Sequence, residues 1–199
     1  MLPRNSAETS AAKQEYHSVR NRILILLLLV LALAGCQRPK TLEITKLESF
    51  PVDMSAYKGM NSVKHRFVGT SPKELLRCIE EGGSALFYIG DTDCANCQEA
   101  VRIINEVAEN HDLSVYYIFA YDKKYPLSAY HEEVQAALEP LLPTDETGTK
   151  RIKMPLFFSV ENGVPSEAFI GLAIDATGTS VDREKMIRIY EKVIGSFID

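Results

Sequence analysis

Two cysteines near the middle of the chain carry the clearest chemistry in the sequence. Cys94 and Cys97 are separated by two small residues, Ala95 and Asn96, and follow an uncharged apolar stretch at residues 85–89. Two thiols at this spacing can close a disulfide, and a thiolate on one of them can attack a disulfide of another molecule. The expected chemistry is thiol–disulfide exchange, in which Cys97 attacks a mixed disulfide formed at Cys94.

The elements around the pair form a predicted strand-to-helix junction. The continuous apolar run at 85–89 is typical of a strand buried on both faces. A helix is predicted over 94–110, because its apolar residues recur at three-and-four spacing: Cys97, Ala100, Val101, Ile104, Val107 and Ala108. We expect Asp93 to cap this helix and Cys94 to be its first residue, where the helix dipole favours a thiolate. The charges of Asp91 and Asp93 oppose that effect.

The remaining elements alternate between strands and helices. Strands are predicted at 65–68 and 113–121, and residues 41–50 permit an edge strand. Helices are predicted from a capping box at Ser71 to Glu74, over 128–142, and over 181–197 with Thr179 or Ser180 as the cap. Asn162-Gly163 predicts a type I′ hairpin. The fold class is therefore α/β in one domain, with a central mixed sheet flanked by helices.

This order of elements resembles the thioredoxin superfamily over roughly residues 66–199. The resemblance lies in Cys94-Ala95-Asn96-Cys97 after the second strand and in Met154-Pro155 at the start of the hairpin. It implies that Pro155 is a cis-proline beside the dithiol and that Met154 contacts substrate, although Met154 is equally suited to be a hydrophobic lid. It also implies that Cys94 attacks as a thiolate, that Cys97 resolves, and that the redox-active disulfide is the only cofactor.

The sequence departs from thioredoxin's own site at three places. Asp93 replaces a tryptophan, Ala95-Asn96 replaces Gly-Pro, and Tyr88 falls where thioredoxin has a buried carboxylate. A tyrosine is not an acid at neutral pH. The resemblance is therefore compatible with a reductase, an oxidase or an isomerase.

The N-terminal segment predicts export and a lipid anchor. Residues 23–35 are uncharged and almost wholly apolar behind Arg20 and Arg22, which is too short for a membrane span and typical of a signal peptide. The sequence Leu33-Ala34-Gly35-Cys36 resembles the lipobox of bacterial lipoproteins, which implies cleavage before Cys36 and lipid on its thiol. The predicted organisation is a signal peptide at 1–35, a lipid-anchored tether and lead-in at 36–64, and a thioredoxin-like domain at 65–199. An uncleaved signal anchor is the alternative.

Charge and ligand counts exclude other classes. The full chain has a formal net charge of −5; residues 1–22 hold four basic and two acidic residues, which leaves 18 basic and 25 acidic residues for the rest. This acidic balance argues against nucleic-acid binding. No metal is expected, because one Cys-x-x-Cys is half a zinc site. Cys78 is expected to be a small buried hydrophobe, with a third redox thiol as the alternative.

Two functions follow from these observations. The first is a membrane-anchored thiol–disulfide oxidoreductase on the extracytoplasmic face of a bacterial membrane. It would exchange disulfides with exported proteins and be reset by a membrane redox partner. The second is a thioredoxin-fold binding or accessory lipoprotein, for example in bacteriocin export or secretion, in which the disulfide is structural or vestigial.

Overall fold

A computed structural model describes residues 45–198. Within that range the strands and α-helices are, in chain order, β1 (Phe67–Gly69), α1 (Pro72–Glu80), β2 (Ala85–Gly90), α2 (Ala95–Asn110), β3 (Val115–Phe119), α3 (His131–Leu138), β4 (Leu156–Glu161), β5 (Val164–Ile170) and α4 (Arg183–Ile198). Short 3-10 helices flank α3 at Leu127–Tyr130 and Glu139–Leu141, so the predicted helix over 128–142 is divided into three pieces. The predicted signal peptide, Cys36 and residues 36–44 of the tether lie outside the described residues.

The five strands form one mixed sheet in the order β1-β3-β2-β4-β5. Strands β1 and β2 run parallel to β3, whereas β4 runs antiparallel to both β2 and β5. This strand order, with the cysteine pair following the central strand β2, is that of the thioredoxin fold. The predicted fold class is confirmed.

Successive residues of β2 pack into two different hydrophobic layers. Leu86 and Tyr88 belong to the layer that α2 and α4 cover, while Phe87 and Ile89 belong to the layer that α1 and α3 cover. This alternation is the period of two that a strand imposes on its side chains. All six residues of β2 are buried, as expected for a strand with helices on both faces. The helix carrying the cysteines is therefore packed on the same face as Tyr88.

The ladder between β2 and β4 brings two distant parts of the chain to one end of the sheet. It runs from Ala85 opposite Val160 to Ile89 opposite Leu156. The residues that leave the ladder at this end are Gly90, which leads into the cysteine loop, and Pro155, which precedes β4. The hairpin that returns from β4 to β5 has positive φ at Asn162 and at Gly163, as a type I′ turn requires.

The start of α1 follows the predicted capping box only in part. Ser71 is the N-cap, and its side-chain oxygen accepts the N–H of Glu74 over 3.3 Å. The Glu74 carboxylate does not accept the main-chain N–H of Ser71, which would complete the capping box. It accepts the Glu48 N–H over 2.8 Å and binds the Arg77 guanidinium, so that it fastens the lead-in to the helix.

The predicted cap of α4 is wrong. Asp182 accepts the N–H of Lys185 over 2.9 Å at the start of this helix. Thr179 and Ser180 are engaged in a preceding turn, where both bind the side chain of Asp175. A turn of the same sequence pattern, Asp-x-Thr-Gly-Thr, occurs between α3 and β4, where Asp145 accepts the N–H groups of Thr147 and Thr149. The chain thus uses one turn motif twice.

The folded part begins before the predicted boundary at residue 65. Leu47, Met54 and Tyr57 are almost fully buried, so this part of the lead-in contributes to the core. Residues 45–50, the described part of the edge strand that the sequence permits, form no strand; among them only Phe50 pairs with the sheet, opposite Gly69 of β1. Among residues 45–198, no helix is both long enough and apolar enough to cross a membrane.

Candidate active site

Cys94 lies at the N-cap of α2, one position before the predicted one. Its φ of −82° and ψ of 112° are extended, and its sulfur accepts the N–H of Cys97 over 3.2 Å. The prediction that Asp93 caps the helix is therefore wrong. Oxygen side chains are the usual caps, and here a sulfur takes that position. Half-exposed Cys94 therefore lies beside the unpaired N–H groups of a helix start, which are a favourable environment for negative charge.

Asp91 holds the loop that carries Cys94. The Asp91 side chain is buried, and one carboxylate oxygen accepts the N–H of Asp93 over 2.7 Å. The main-chain oxygen of Asp91 accepts the N–H of Cys94 over 3.3 Å. Asp93 itself is exposed to solvent. The two acidic residues predicted to tune the site thus differ, because Asp91 shapes the turn while Asp93 contributes only exposed charge.

Cys97 lies one turn into α2 and is fully buried. Burial raises the pKa of the Cys97 thiol to about 12, and the side chain of Cys94 adds to this rise. The main-chain N–H of Asp91 and the hydroxyl of Tyr88 act in the opposite direction on this pKa. Cys94 and Cys97 are both free thiols in this structure. The pair is therefore asymmetric, with one accessible sulfur and one sheltered sulfur.

Pro155 and Met154 lie at the same end of the sheet as the cysteine loop. The Met154–Pro155 peptide bond is cis, Pro155 is buried, and its carbonyl accepts the N–H of Gly171 over 2.9 Å. Met154 is partly buried and touches both hydrophobic layers, and half-exposed Cys94 packs against one of these layers. The sequence-predicted substrate-contact residues thus flank the strand from which the dithiol loop emerges.

Gln98 is a site residue that the sequence analysis missed. Its side-chain nitrogen donates to the Thr92 carbonyl over 2.6 Å and to the Ala56 carbonyl over 3.2 Å. Its side-chain oxygen accepts the N–H of Lys58 over 2.7 Å. The side chain thereby ties the cysteine loop to the lead-in. No sequence pattern predicts this connection, because the two partners in the lead-in, Ala56 and Lys58, are about forty residues away along the chain.

Three buried tyrosines lie beneath Cys97, and the sequence analysis placed only one of them at the site. Tyr88 is on β2 and Tyr117 on the neighbouring β3, with ring centroids 5.4 Å apart. Tyr57 comes from the lead-in, and its hydroxyl lies 2.8 Å from that of Tyr117. Burial raises the pKa of all three phenols, so each is a neutral O–H at physiological pH.

The remaining ligand-type side chains do not assemble into a second site. Among residues 45–198, no cluster of three or more histidine, cysteine or acidic side chains could hold a metal ion. Cys78 is fully buried in the layer under α1 and α3, and burial raises the pKa of its thiol to about 11. This thiol lies on the opposite face of the sheet from Cys97.

Neither a protein-family model nor a curated protein matches the sequence. The fold is similar to that of thioredoxin O2 from Arabidopsis thaliana, with 15% identity over 69% of this chain and 98% of that one, at a TM-score of 0.43. It is also similar to oxidised thioredoxin from Plasmodium falciparum, with 14% identity, 65% and 97% coverage, and a TM-score of 0.40. The sheet topology and the position of the cysteines define a thioredoxin-like fold that carries a Cys-x-x-Cys pair.

The geometry suits a two-step exchange of disulfides. The accessible sulfur of Cys94 faces solvent at a helix start, where negative charge is favoured. The buried sulfur of Cys97 is one helical turn away and already in contact with Cys94 through its N–H group. A mixed disulfide formed at Cys94 would therefore lie within reach of Cys97.

Proposed function

We propose that this chain is a thiol–disulfide oxidoreductase that exchanges disulfides with exported proteins through Cys94 and Cys97. The asymmetry between the two sulfurs carries the proposal: Cys94 is half-exposed and accepts an N–H, whereas Cys97 is buried and holds its proton. A purely structural disulfide has no need of this difference. It would also stabilise little, because the loop that it closes is so short.

The reaction proceeds by two exchanges of one sulfur–sulfur bond for another. The Cys94 thiolate attacks a substrate disulfide, so that a Cys94–substrate bond forms and the first substrate sulfur leaves as a thiolate. The Cys97 thiolate then attacks the Cys94 sulfur, which forms the Cys94–Cys97 disulfide and releases the second substrate sulfur. The substrate gains two electrons and the protein loses two. The reverse sequence oxidises a substrate dithiol with the same atoms.

Met154 and Pro155 are proposed to position the substrate. Both residues lie at the end of β4 beside the cysteine loop, and Met154 has no main-chain hydrogen bond to another described residue. A substrate segment that lies extended against Met154 could pair with its free main-chain groups, in the way that peptides add to an open sheet edge.

A lipid on Cys36 is proposed to hold the domain on the extracytoplasmic face of a bacterial membrane. The support is the apolar segment at residues 23–35, which lies behind two arginines and ends in Leu33-Ala34-Gly35 directly before Cys36. No cytosolic reductant reaches that face. The proposal therefore includes a membrane redox partner that resets the pair after each cycle.

Trapping of mixed disulfides tests this function. A Cys97→Ser variant, expressed as the full chain, should accumulate adducts of exported proteins on Cys94, because the resolving thiol is gone. The matched control is the Cys94→Ser, Cys97→Ser double variant, which should trap nothing. Adducts that dithiothreitol releases and that mass spectrometry maps to Cys94 support the enzyme. Equal adducts in both variants, or none in either together with no disulfide turnover by the wild type, would contradict it and leave the accessory lipoprotein as the alternative.

A further inference from the structure

The Tyr88 hydroxyl is a buried polar group without a hydrogen-bond partner among the described residues. The side chain is fully buried, and its hydroxyl is the one buried side-chain polar atom of residues 45–198 that lacks such a partner. Buried polar groups are nearly always paired, and an unpaired one costs stability. Such a group points to a role that phenylalanine, which has the same shape without the hydroxyl, could not fill.

The hydroxyl is directed at the dithiol end of the sheet. A β-carbon added to Gly90 would lie 2.5 Å from the ring carbon that carries this hydroxyl, so the phenol lies over the Gly90 backbone. Gly90 is the last residue before the cysteine loop. The hydroxyl and the Cys97 thiol are near enough to affect each other's pKa, yet they do not meet the geometry of a hydrogen bond.

The neighbouring phenols connect this point to a cavity. The hydroxyls of Tyr57 and Tyr117 are hydrogen-bonded over 2.8 Å, and Tyr57 is also near enough to Tyr88 for each to affect the other's pKa. Both Tyr57 and Tyr117 line a cavity of about 150 Å³ that also borders Thr92 of the cysteine loop. That volume is sufficient for water molecules, whose hydrogen bonds these hydroxyls can satisfy.

We propose that the Tyr88 hydroxyl donates a hydrogen bond to the Cys97 sulfur when that sulfur becomes a thiolate, and that the Tyr57–Tyr117 pair carries the released proton to the cavity. This inference rests on the proposed function. The side chain beside the Cys97 thiol is the neutral phenol of Tyr88. A neutral phenol cannot keep the proton, so it must pass one on.

The proton and electrons balance along this path. The sulfur–hydrogen bond of Cys97 breaks, and Tyr88 takes the proton as its own hydroxyl proton moves to the Tyr57–Tyr117 pair. A proton of that pair moves to water in the cavity, and all three phenols end neutral. No electron is transferred in this step. The electron pair left on Cys97 then attacks the Cys94 sulfur and displaces the substrate thiolate, as in the resolving exchange above.

The groups that face Cys97 come from every element packed around it. They are Cys94 and the Asp91 main chain from the cysteine loop, Tyr88 from β2, Tyr117 from β3, Tyr57 from the lead-in and Tyr190 from α4. The buried Asp91 carboxylate adds a negative charge that raises the pKa of Tyr57 and Tyr117. None of these side chains carries a positive charge. A thiolate at Cys97 can therefore be stabilised here by hydrogen-bond donors and not by an ion pair with one of these side chains.

Stopped-flow kinetics with dithiobis(nitrobenzoate) separate the two steps. With reduced full-length protein in detergent micelles, attack by Cys94 releases one coloured thiolate and resolution by Cys97 releases a second. A Cys94→Ser variant gives the background. We expect Tyr88→Phe to leave the first phase within twofold and to slow the second at least tenfold near pH 7.5. The pH midpoint of the second phase should rise by about one unit, and Tyr57→Phe should slow the second phase with a changed solvent isotope effect.

The matched control is Tyr116→Phe. Tyr116 is also a buried tyrosine of β3, but it lies on the opposite face of the sheet and binds the Leu47 N–H over 3.1 Å. An unchanged second phase in Tyr88→Phe, or an equal slowing in Tyr116→Phe, would overturn the relay while leaving the oxidoreductase standing. Absence of both phases in the wild type would overturn the proposed function itself, so the two failures are distinguishable.

Discussion

The N–H of Cys97 donates to the sulfur of Cys94 over 3.2 Å, so the two cysteines of the pair are in direct contact as free thiols. The two residues are one helical turn apart, yet one sulfur is half-exposed and the other is buried. Because an N-cap sulfur receives the hydrogen bond that a capping oxygen usually receives, the capping of α2 and the position of the Cys94 sulfur depend on the same contact.

Of Cys78, Cys94 and Cys97, the reduced protein should be alkylated at Cys94 alone near pH 8. Because burial and the side chain of Cys94 raise the pKa of Cys97 to about 12, Cys97 stays almost wholly a thiol at that pH. Cys78 is likewise buried with a raised pKa. Timed treatment with iodoacetamide followed by peptide mass spectrometry measures the three rates. Urea-unfolded protein is the control, in which all three cysteines should react alike; folded protein that labels Cys97 as fast as Cys94 would contradict the asymmetry.

Tyr88→Phe should not destabilise the reduced protein, and Tyr117→Phe should. The Tyr88 hydroxyl is unpaired, so its removal costs no hydrogen bond and relieves a burial penalty of about 1 to 3 kcal/mol. Tyr117 donates to or accepts from Tyr57, so its loss should lower the free energy of unfolding by about 1 kcal/mol. Urea denaturation of the two variants measures both changes. A larger loss for Tyr88→Phe than for Tyr117→Phe would show that the Tyr88 hydroxyl is paired.

Gly90→Ala should destabilise the protein by about 1 to 3 kcal/mol, because the new methyl group would overlap the buried Tyr88 ring. Smaller side chains at Tyr88 should recover part of this loss in a double-mutant cycle. Gly195→Ala is the control, since a β-carbon there meets nothing within 4 Å and alanine favours the helix. Equal stability of Gly90→Ala and wild type in urea denaturation would refute the close approach of the Tyr88 ring.

Glu74→Gln should lower the free energy of unfolding by about 1 to 3 kcal/mol, since a buried carboxylate loses its charged bonds to Arg77 while its bond to the lead-in weakens. Those bonds hold the pKa of Glu74 below its usual value. The stabilisation is therefore full above the unfolded pKa and is lost as pH falls through the folded one. Denaturation at pH 7 and at pH 3 should show a larger difference between variant and wild type at pH 7 than at pH 3. The exposed Glu80→Gln is the control.

The local patterns in the sequence predicted the architecture well. The apolar run of β2, the buried face of α2 and the Asn162-Gly163 turn each follow from a spacing within a few residues, and all three are confirmed. The caps were less predictable, because several polar residues near a helix start compete for one position. Asp182 caps α4, because Thr179 and Ser180 are hydrogen-bonded to Asp175 in the preceding turn.

The surroundings of the dithiol depend on contacts between distant segments. Tyr57, Tyr88 and Tyr117 meet because β2 and β3 are neighbours in the sheet and the lead-in folds over them. Nothing in the sequence near any of these residues indicates the other two. Gln98 joins the lead-in to the cysteine loop in the same non-local way.

A redox titration of the Cys94–Cys97 pair tests the central claim most directly. The protein is equilibrated with mixtures of reduced and oxidised glutathione, trapped by acid, and alkylated for peptide mass spectrometry. Cys94 and Cys97 should lose their thiols together in one two-electron transition, in which about 30 mV changes the ratio of the two forms tenfold, while Cys78 stays reduced. A pair that keeps the same state across all mixtures would contradict this, and so would a Cys97 thiol that is lost as readily in Cys94→Ser as in the wild type.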